Sequence, residues 1–210
     1  MISAIGQEIL TQTCVQLKSW RGQDREHSVA VNVSAEQLRA PGYARTVMDT
    51  LAVAGIRCDQ LILEVTESVF MDPAPHITTQ LGLLRRQVIK VALDDFGTGY
   101  SSLGRLQDLP VDILKIDQSF VSVIIIGDEG LPILDSMTAM AHNLGLKITA
   151  EGVETPEQAR YLLGLGCDSL QGYLFSRPVP PREVPEAEHH ARRAITEFHS
   201  GHIQVEFRPC

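Results

Sequence analysis

The sequence predicts an α/β fold in which short parallel strands alternate with helices. Two observations predict it: six short segments are apolar at nearly every position, and segments with helical spacing separate them. Strands of that kind are typical of parallel sheets whose two faces are both covered by helices. The chain has 210 residues, 44% of them hydrophobic, so one domain with a sizeable core is expected.

Local periodicity and turn residues place each element along the chain. Apolar residues recur at helical spacing from Ile2 to Leu17, so the chain opens on a helix that ends before Trp20. Further helices are predicted over 41–54, 76–86, a long segment ending near Asn143, and 155–165, with Gly55 and Thr155 as stop and cap signals. Strands rich in Val, Ile and Leu are predicted over 27–34, 61–68, 88–96, 113–117, 147–152 and 169–176. Residues 180–210 are predicted to form a closing helix and a mobile tail.

Charge and cysteine content argue against several classes of protein. Lys and Arg number 18 against 26 Asp and Glu, and the resulting net charge of −8 disfavours a broad surface for DNA or anionic lipid. The 4 cysteines form no CxxC pair, so a disulfide framework and a zinc finger are not expected. No apolar run is long enough to span a bilayer, and no secretory signal opens the chain. A cytoplasmic protein without a membrane segment is therefore expected.

Each predicted strand ends its apolar run on a polar or charged residue. If the strands are parallel and close a barrel, these residues share the face on which barrel enzymes keep their active sites. Carboxylates packed so closely repel by several kcal/mol at an effective dielectric constant of roughly 20. The cluster is therefore expected to bind cations such as Mg²⁺, Mn²⁺ or Ca²⁺, or to have raised pKa values. The alternative is that they only cap helices or solvate the rim of the barrel. The residues are Asn32, Glu64, Asp94, Asp95, Lys115, Asp117, Glu151 and Gln171.

Two enzyme chemistries fit this set of residues. One is two-metal hydrolysis of a phosphate ester, and the other is enolisation with one Mg²⁺ and a lysine base. Lys115 is the only lysine at a predicted strand end, which favours hydrolysis. The loop that begins Phe96, Gly97, Thr98 and Gly99 could cradle phosphate with its amides, or it could be a tight turn into a helix.

Six motifs in order along the chain resemble the EAL family of bacterial cyclic di-GMP phosphodiesterases. The motifs are Asn32-Val33-Ser34, Glu64-Val65-Thr66-Glu67, Asp94-Asp95-Phe96-Gly97-Thr98-Gly99-Tyr100-Ser101-Ser102, Lys115-Ile116-Asp117, Glu151-Gly152-Val153-Glu154 and Gln171-Gly172-Tyr173. The resemblance runs from the first residues to about Pro180. It implies a TIM-like (β/α) barrel of the EAL type that hydrolyses cyclic di-GMP to pGpG with Mg²⁺ or Mn²⁺.

The resemblance also implies a role for each motif residue. Asn32, Glu64, Asp94 and Glu151 resemble metal ligands, and Asp95 and Asp117 resemble ligands of a second metal. Lys115 resembles the residue that orients the attacking water, and Gln171 lies in the shell of metal and water. Glu67 resembles the carboxylate that braces the Gly-rich loop, and Glu154 resembles a further supporting carboxylate.

The Glu-Ala-Leu motif that names the family belongs on a strand upstream of the opening helix. An EAL domain incomplete at its N-terminus, with about six parallel strands, is therefore expected over residues 1–188, followed by a helix end and a mobile tail over 189–210. The expected partners are cyclic di-GMP, a second copy in a homodimer, and an upstream sensory or GGDEF domain. Three hypotheses stay open: an active phosphodiesterase, a non-catalytic module that binds cyclic di-GMP or another protein, and a fragment without independent function.

Overall fold

The computed structural model describes residues 2–21, 27–70, 75–97, 106–124, 131–198 and 204–205, and the side chains among them except those of 193–198 and 204–205. The chain forms two compact units. Unit 1 comprises Met1–Asp94 and Ser101–Asp112, and unit 2 comprises Asp95–Tyr100 and Ile113–Cys210. Each unit contains some of the predicted site residues.

Unit 1 alternates helices with parallel strands. Its elements are α1 (Ile2–Ser19), β1 (Val29–Asn32), α2 (Ala35–Arg39), α3 (Tyr43–Ala54), β2 (Leu61–Thr66), α4 (Pro75–Arg86) and β3 (Lys90–Phe96), whose last two residues belong to unit 2. Strand β2 pairs in parallel with β1 on one side and with β3 on the other. Short 3-10 turns over Cys58–Gln60 and Glu67–Phe70 flank β2.

Unit 2 continues the same alternation. Its elements are β4 (Ile113–Ile116), α5 (Gln118–Val121), α6 (Pro132–Asn143), β5 (Lys147–Ala150), α7 (Pro156–Gly164), β6 (Ser169–Leu170), α8 (Val184–Phe198) and β7 (Gln204–Val205), with a 3-10 turn over Pro181–Glu183 before α8. Strand β5 pairs in parallel with β4 and β6, and β6 pairs in parallel with β7. The parallel arrangement that the sequence predicts is therefore confirmed in both units.

The core of each unit is built from consecutive apolar positions of its strands and from one side of its helices. Successive residues along β2 and β4 are buried, as expected of strands covered on both faces. Fully buried side chains are Leu51, Leu61, Leu63, Leu81 and Leu93 in unit 1, and Leu114, Ile116, Leu134, Ile148 and Leu162 in unit 2. Each such side chain contributes about 1.5–3 kcal/mol of transfer free energy.

Aspartates brace the beginnings of two strands. Asp168, directly before β6, accepts a hydrogen bond from the amide of Ile148 through Oδ2 (2.8 Å) and donates its own amide to the Ile148 carbonyl (2.9 Å). Asp112, directly before β4 in the sequence, makes the same two bonds with Val91 (3.0 and 2.8 Å), and its Oδ1 also accepts from Arg85 (2.7 Å). These braces hold the N-terminal ends of the strands in register.

Most predicted elements are confirmed, and the differences have physical causes. Helix α2 was not predicted, because five residues are too short to show a helical period. Strand β6 is shorter than predicted, since the chain turns directly after Leu170. The predicted tail contains the end of α8 and strand β7, while residues 199–203 and 206–210 lie outside the described residues. None of the helices in the described part of the chain combines the length and apolar character needed to cross a membrane.

Candidate functional site

Unit 1 places three of the predicted ligands on one face of its sheet. Asn32 at the end of β1 is the register partner of Glu64 in β2, and Thr66 is the register partner of Asp94 in β3. Side chains alternate along a strand, so Asn32, Glu64 and Asp94 share a face. Glu64 is only 2% exposed and Asp94 is buried as well, whereas Asn32 is exposed. Two buried carboxyl groups on one face are costly unless something compensates their charge.

Unit 2 arranges its predicted residues in the same way. Lys115 in β4 is the register partner of Thr149 in β5, which is in turn the partner of Ser169 in β6. Two positions later along these three segments come Asp117, Glu151 and Gln171. The amide of Glu151 donates to the Ile116 carbonyl (3.0 Å) and that of Gln171 to the Ala150 carbonyl (2.8 Å), which extends the ladder beyond the strands. The predicted residues therefore follow the C-terminal ends of neighbouring strands.

A buried ion pair links β4 to the segment after β5. The Nζ atom of Lys115 lies 2.5 Å from Oε1 of Glu151, and the two side chains are 1% and 16% exposed. Thr149 is the register partner of both Lys115 and Ser169, and the hydroxyls of Thr149 and Ser169 share a buried hydrogen bond of 2.6 Å. A buried ammonium group is tolerated only with a charge partner at contact distance, so the Glu151 carboxylate fixes the position of the lysine head group.

The segment after β5 passes very close to the start of α5. Gly152 has a φ of +71°, and a Cβ atom at this position would lie 3.1 Å from the backbone of Gln118 and closer still to its side chain. Glycine is therefore required both by the backbone conformation and by the close approach. The amide of Val153 in turn donates to the Gln171 carbonyl (3.0 Å). The three segments that carry Asp117, Glu151 and Gln171 are thus packed against one another.

Asp117 is the N-cap of α5. Its Oδ1 accepts a hydrogen bond from the Ser119 amide at 2.9 Å. The sequence leaves open that the carboxylates at strand ends only cap helices, and Oδ1 of Asp117 does cap α5.

The end of β3 has an unusual backbone. Asp95 is exposed and has a φ of +56°, a conformation that non-glycine residues adopt rarely and that is concentrated at functional sites. Phe96 is buried, and Gly97 has a φ of +92°, with the Phe120 ring 2.9 Å from the place of a Cβ atom. Thr98 and Gly99 lie outside the described residues.

The remaining predicted residues differ in their surroundings. Among the described residues, Oε2 of Glu67 and Oε1 of Gln171 are buried acceptors without a hydrogen-bond partner. Buried acceptors of this kind are typical of groups that bind water or an ion. Glu154 instead has an exposed side chain, and its amide donates to Oε1 of Gln158 at 2.8 Å.

The donor set has the chemistry of a site for a hard divalent cation. All the predicted ligands offer carboxylate or amide oxygens, which Mg²⁺, Mn²⁺ and Ca²⁺ prefer, and the unpartnered Oε1 of Gln171 agrees with this. Within the described part of the chain, no three His, Cys, Asp or Glu side chains already form a cluster that could hold an ion. The residues fit a divalent metal by their donor type.

Sequence reasoning missed Gln158, which is buried beside the segment that carries Glu151. The signal was present: Thr155 and Gln158 form the S/T-x-x-Q pattern of a capping box, and the structure contains that box at the start of α7. Thr155 was predicted as the cap, but its partner was not considered.

The chain is similar to proteins of one family. The model of the EAL domain family matches residues 1–178. The bifunctional diguanylate cyclase/cyclic di-GMP phosphodiesterase MucR of Pseudomonas aeruginosa is 39% identical over 185 residues, which are 88% of this chain and 27% of MucR. The chain spans about a quarter of the length of the curated relatives it matches.

Solved structures agree with this family. The PaMucR phosphodiesterase in complex with c-di-GMP matches with a TM-score of 0.79 and 39% identity, over 87% of this chain and 74% of that one. The manganese/cy-diGMP complex of Klebsiella pneumoniae BlrP1 matches with a TM-score of 0.74 and 32% identity, over 83% of this chain and 44% of that one. The predicted fold class, a TIM-like (β/α) barrel of the EAL type, is confirmed by these likenesses.

Proposed function

Since the chain belongs to the EAL domain family, we propose that it is a metal-dependent phosphodiesterase that hydrolyses cyclic di-GMP to pGpG. The observation that carries the proposal is the 2.5 Å contact between Lys115 and Glu151 at the C-terminal ends of β4 and β5. The family resemblance implies that Lys115 orients the attacking water and that Glu151 is a metal ligand. The phosphodiesterase and cyclic di-GMP named for the MucR relatives support the choice of substrate.

We infer that the ion is Mg²⁺ or Mn²⁺ and that side-chain oxygens of the predicted ligands hold it. The family resemblance implies Asn32, Glu64, Asp94 and Glu151 as metal ligands, and Asp95 and Asp117 as ligands of a second metal. The chemistry that a divalent ion supplies is a lowered pKa for water and a positive charge beside the leaving oxygen. The manganese complex of BlrP1 supports this choice of metal.

The chain's own residues would prepare the water and the substrate. The Lys115 ammonium, held by Glu151, would donate a hydrogen bond to the attacking water and so orient it toward the phosphorus atom. Gln171 would accept a hydrogen bond from a neighbouring water through Oε1, which is buried without a partner among the described residues. The family resemblance implies that Glu67 braces the loop from Phe96 to Gly99 and that Glu154 is a further supporting carboxylate.

The proposed partners follow from the same resemblance. A second copy of the chain in a homodimer and an upstream sensory or GGDEF domain are proposed, in a cytoplasmic protein. The greater length of the curated relatives and the bifunctional name of MucR support the additional domain.

Hydrolysis by the purified 210-residue chain tests the proposal. Cyclic di-GMP is incubated with Mg²⁺ or Mn²⁺, and pGpG is quantified by liquid chromatography for the wild type and for Glu151→Ala. The matched control is Asp59→Asn, which removes an exposed carboxylate that pairs with Arg57 at the other end of β2. Formation of pGpG that is lost in a Glu151→Ala variant shown by circular dichroism to be folded, and kept in Asp59→Asn, supports the proposal. A folded chain that binds cyclic di-GMP in Ca²⁺ but yields no pGpG in Mg²⁺ or Mn²⁺ is a binding module instead.

A further inference from the structure

One buried amide side chain joins the segments that carry Asp117 and Glu151. Gln158 lies on α7 and is 7% exposed. Its Oε1 accepts hydrogen bonds from the amides of Glu154 (2.8 Å) and Thr155 (3.1 Å). Its Nε2 donates to the carbonyl of Val121 (3.2 Å), the last residue of α5. The side chain therefore uses both ends in bonds to backbone, and those backbones belong to different segments.

These two segments carry Glu151, which pairs with Lys115, and Asp117. The first runs from Glu151 to Thr155 and begins with the carboxylate that contacts Lys115. The second is α5, a single helical turn that begins at its cap, Asp117, and ends at Val121. A turn this short has little stability of its own, so its position depends on contacts at both ends. Gln158 provides one such contact at its C-terminal end, through the Val121 carbonyl.

An amide is the group that this position requires. The Oε1 atom faces two N–H donors and the Nε2 atom faces a carbonyl, so one side chain must accept at one end and donate at the other. A glutamate would keep the acceptor but would place a carboxylate oxygen against the Val121 carbonyl. A methionine would keep the length of the side chain and lose all three bonds.

We propose that Gln158 is a positioning residue that sets the distance between Glu151 and Asp117 by clamping the segment after β5 to the end of α5. The inference rests on the proposed function, because it assigns the two carboxylates to one reaction. Gln158 contacts neither of them directly and acts only through the backbone.

Gln60 provides a matched control within the same chain. It is also a buried glutamine: its Oε1 accepts from the Arg57 amide (3.3 Å) and its Nε2 donates to the His27 carbonyl (3.0 Å). It therefore also joins two segments by accepting at one end and donating at the other, but it lies directly before β2, whereas Glu64 lies toward the C-terminal end of that strand. Gln60→Glu and Gln158→Glu place the same charge in comparable bonds at opposite ends of the strands.

The experiment measures kcat and KM for cyclic di-GMP with Mn²⁺, the urea midpoint, and amide hydrogen exchange in both variants. We expect Gln158→Glu to lower kcat at least tenfold with KM changed less than threefold, whereas Gln60→Glu keeps kcat within twofold at a similar loss of stability. Exchange should rise in residues 118–122 and 151–155 of Gln158→Glu alone. If Gln158→Glu does not fold, Gln158→Met, which introduces no charge, answers the same question.

Two results would overturn the proposal: an unchanged kcat in a folded Gln158 variant, or an equal loss of kcat in Gln60→Glu. Hydrogen exchange separates this failure from that of the proposed function. If the wild type yields no pGpG, the clamp still predicts faster exchange in both segments of the Gln158 variants. Unchanged exchange there refutes the clamp whatever the activity.

Discussion

The ammonium nitrogen of Lys115 lies 2.5 Å from Oε1 of Glu151, and the lysine is almost fully buried. The pair joins β4 to the segment that follows β5. It lies at the C-terminal ends of these strands, which Asp117 and Glu151 follow. Removing two charges from water costs several kcal/mol for each ion, which a close partner offsets only in part. The arrangement therefore costs stability while it holds the two charged groups in one geometry.

Neutralising Glu151 should destabilise the protein. Glu151→Gln removes the carboxylate in contact with the buried ammonium, and breaking a buried pair in this way typically costs about 3–5 kcal/mol. Lys115→Met should cost less, because Glu151 keeps 16% of its side chain exposed and can be solvated. Urea denaturation at pH 7, followed by circular dichroism, measures the free energy of unfolding of both variants.

The double variant Lys115→Met/Glu151→Gln provides the control for this prediction. The double variant buries neither charge of this pair, so its stability should exceed that of Glu151→Gln alone. A Glu151→Gln variant at least as stable as the wild type would contradict the prediction and would mean that repulsion among the carboxylates outweighs the ion pair.

Asp168 should be important for the register between β5 and β6. Asp168→Ala removes the acceptor of the Ile148 amide and leaves a buried N–H group without its bond, at a cost of about 1–3 kcal/mol. Asp168→Asn keeps an oxygen acceptor, so it should cost less than half as much. The free energies of unfolding of the two variants, measured in urea, test this. Equal losses in both would show that the carboxylate charge, rather than the hydrogen bond, is what matters.

The cysteines should differ in their reactivity toward alkylating reagents. Burial raises the pKa of the Cys167 thiol to about 12, with the charge of Asp168 adding to the effect, and burial also raises the pKa of Cys14. Since the thiolate is the reactive form, both should react slowly at pH 8, and the half-buried Cys58 should react first of the three cysteines that the structure describes.

Peptide mapping by mass spectrometry after timed treatment with iodoacetamide measures the order of labelling. In guanidinium chloride all the cysteines should react at similar rates, which provides the control. Labelling of Cys167 as fast as that of Cys58 in the native protein would contradict the burial of Cys167, which lies just before β6 in the sequence.

Much of the fold was predictable from the sequence because parallel strands covered by helices leave a strong local signal. Glu64 interrupts the apolar run of β2 and is buried, and its role as a metal ligand stays a prediction. The same reasoning found Lys115 and Glu151, since both interrupt or follow an apolar run. The pairing between them could not be predicted, because it depends on the register of β4 with β5.

The features that escaped prediction leave only weak local signals. Strand β7 has two residues, which are too few to show an alternating pattern. Gln158 cannot be told from other glutamines in the sequence, because its role depends on its hydrogen bonds in the fold. Val88 was predicted as the first residue of a strand because it is β-branched and precedes Ile89. The strand begins at Lys90, and Val88 lies instead in the turn that ends α4.

In that turn a valine, Val88, has the left-handed backbone conformation that favours glycine. The Val88 amide donates to Arg85 and the Ile89 amide to Leu84, a Schellman motif in which Val88 has a φ of +61°. Helix α3 ends on the same two bonds, with Gly55 at the equivalent position and a φ of +69°. A β-branched residue is strained in this conformation, and Val88 is 64% exposed, so packing offsets little of the strain.

Val88→Gly should therefore stabilise the protein. Relief of the left-handed conformation is worth about 1–2 kcal/mol, and the greater freedom of glycine in the unfolded chain takes back part of it, so a net gain of about 1 kcal/mol is expected. This corresponds to a rise in Tm of about 2–4 °C for a chain of this size. Gly55→Ala, at the matched position of α3, should lower the stability by about 1 kcal/mol. Thermal and urea unfolding of both variants decide the matter: if Val88→Gly is no more stable than the wild type, contacts of the valine stabilise the turn more than its conformation strains it.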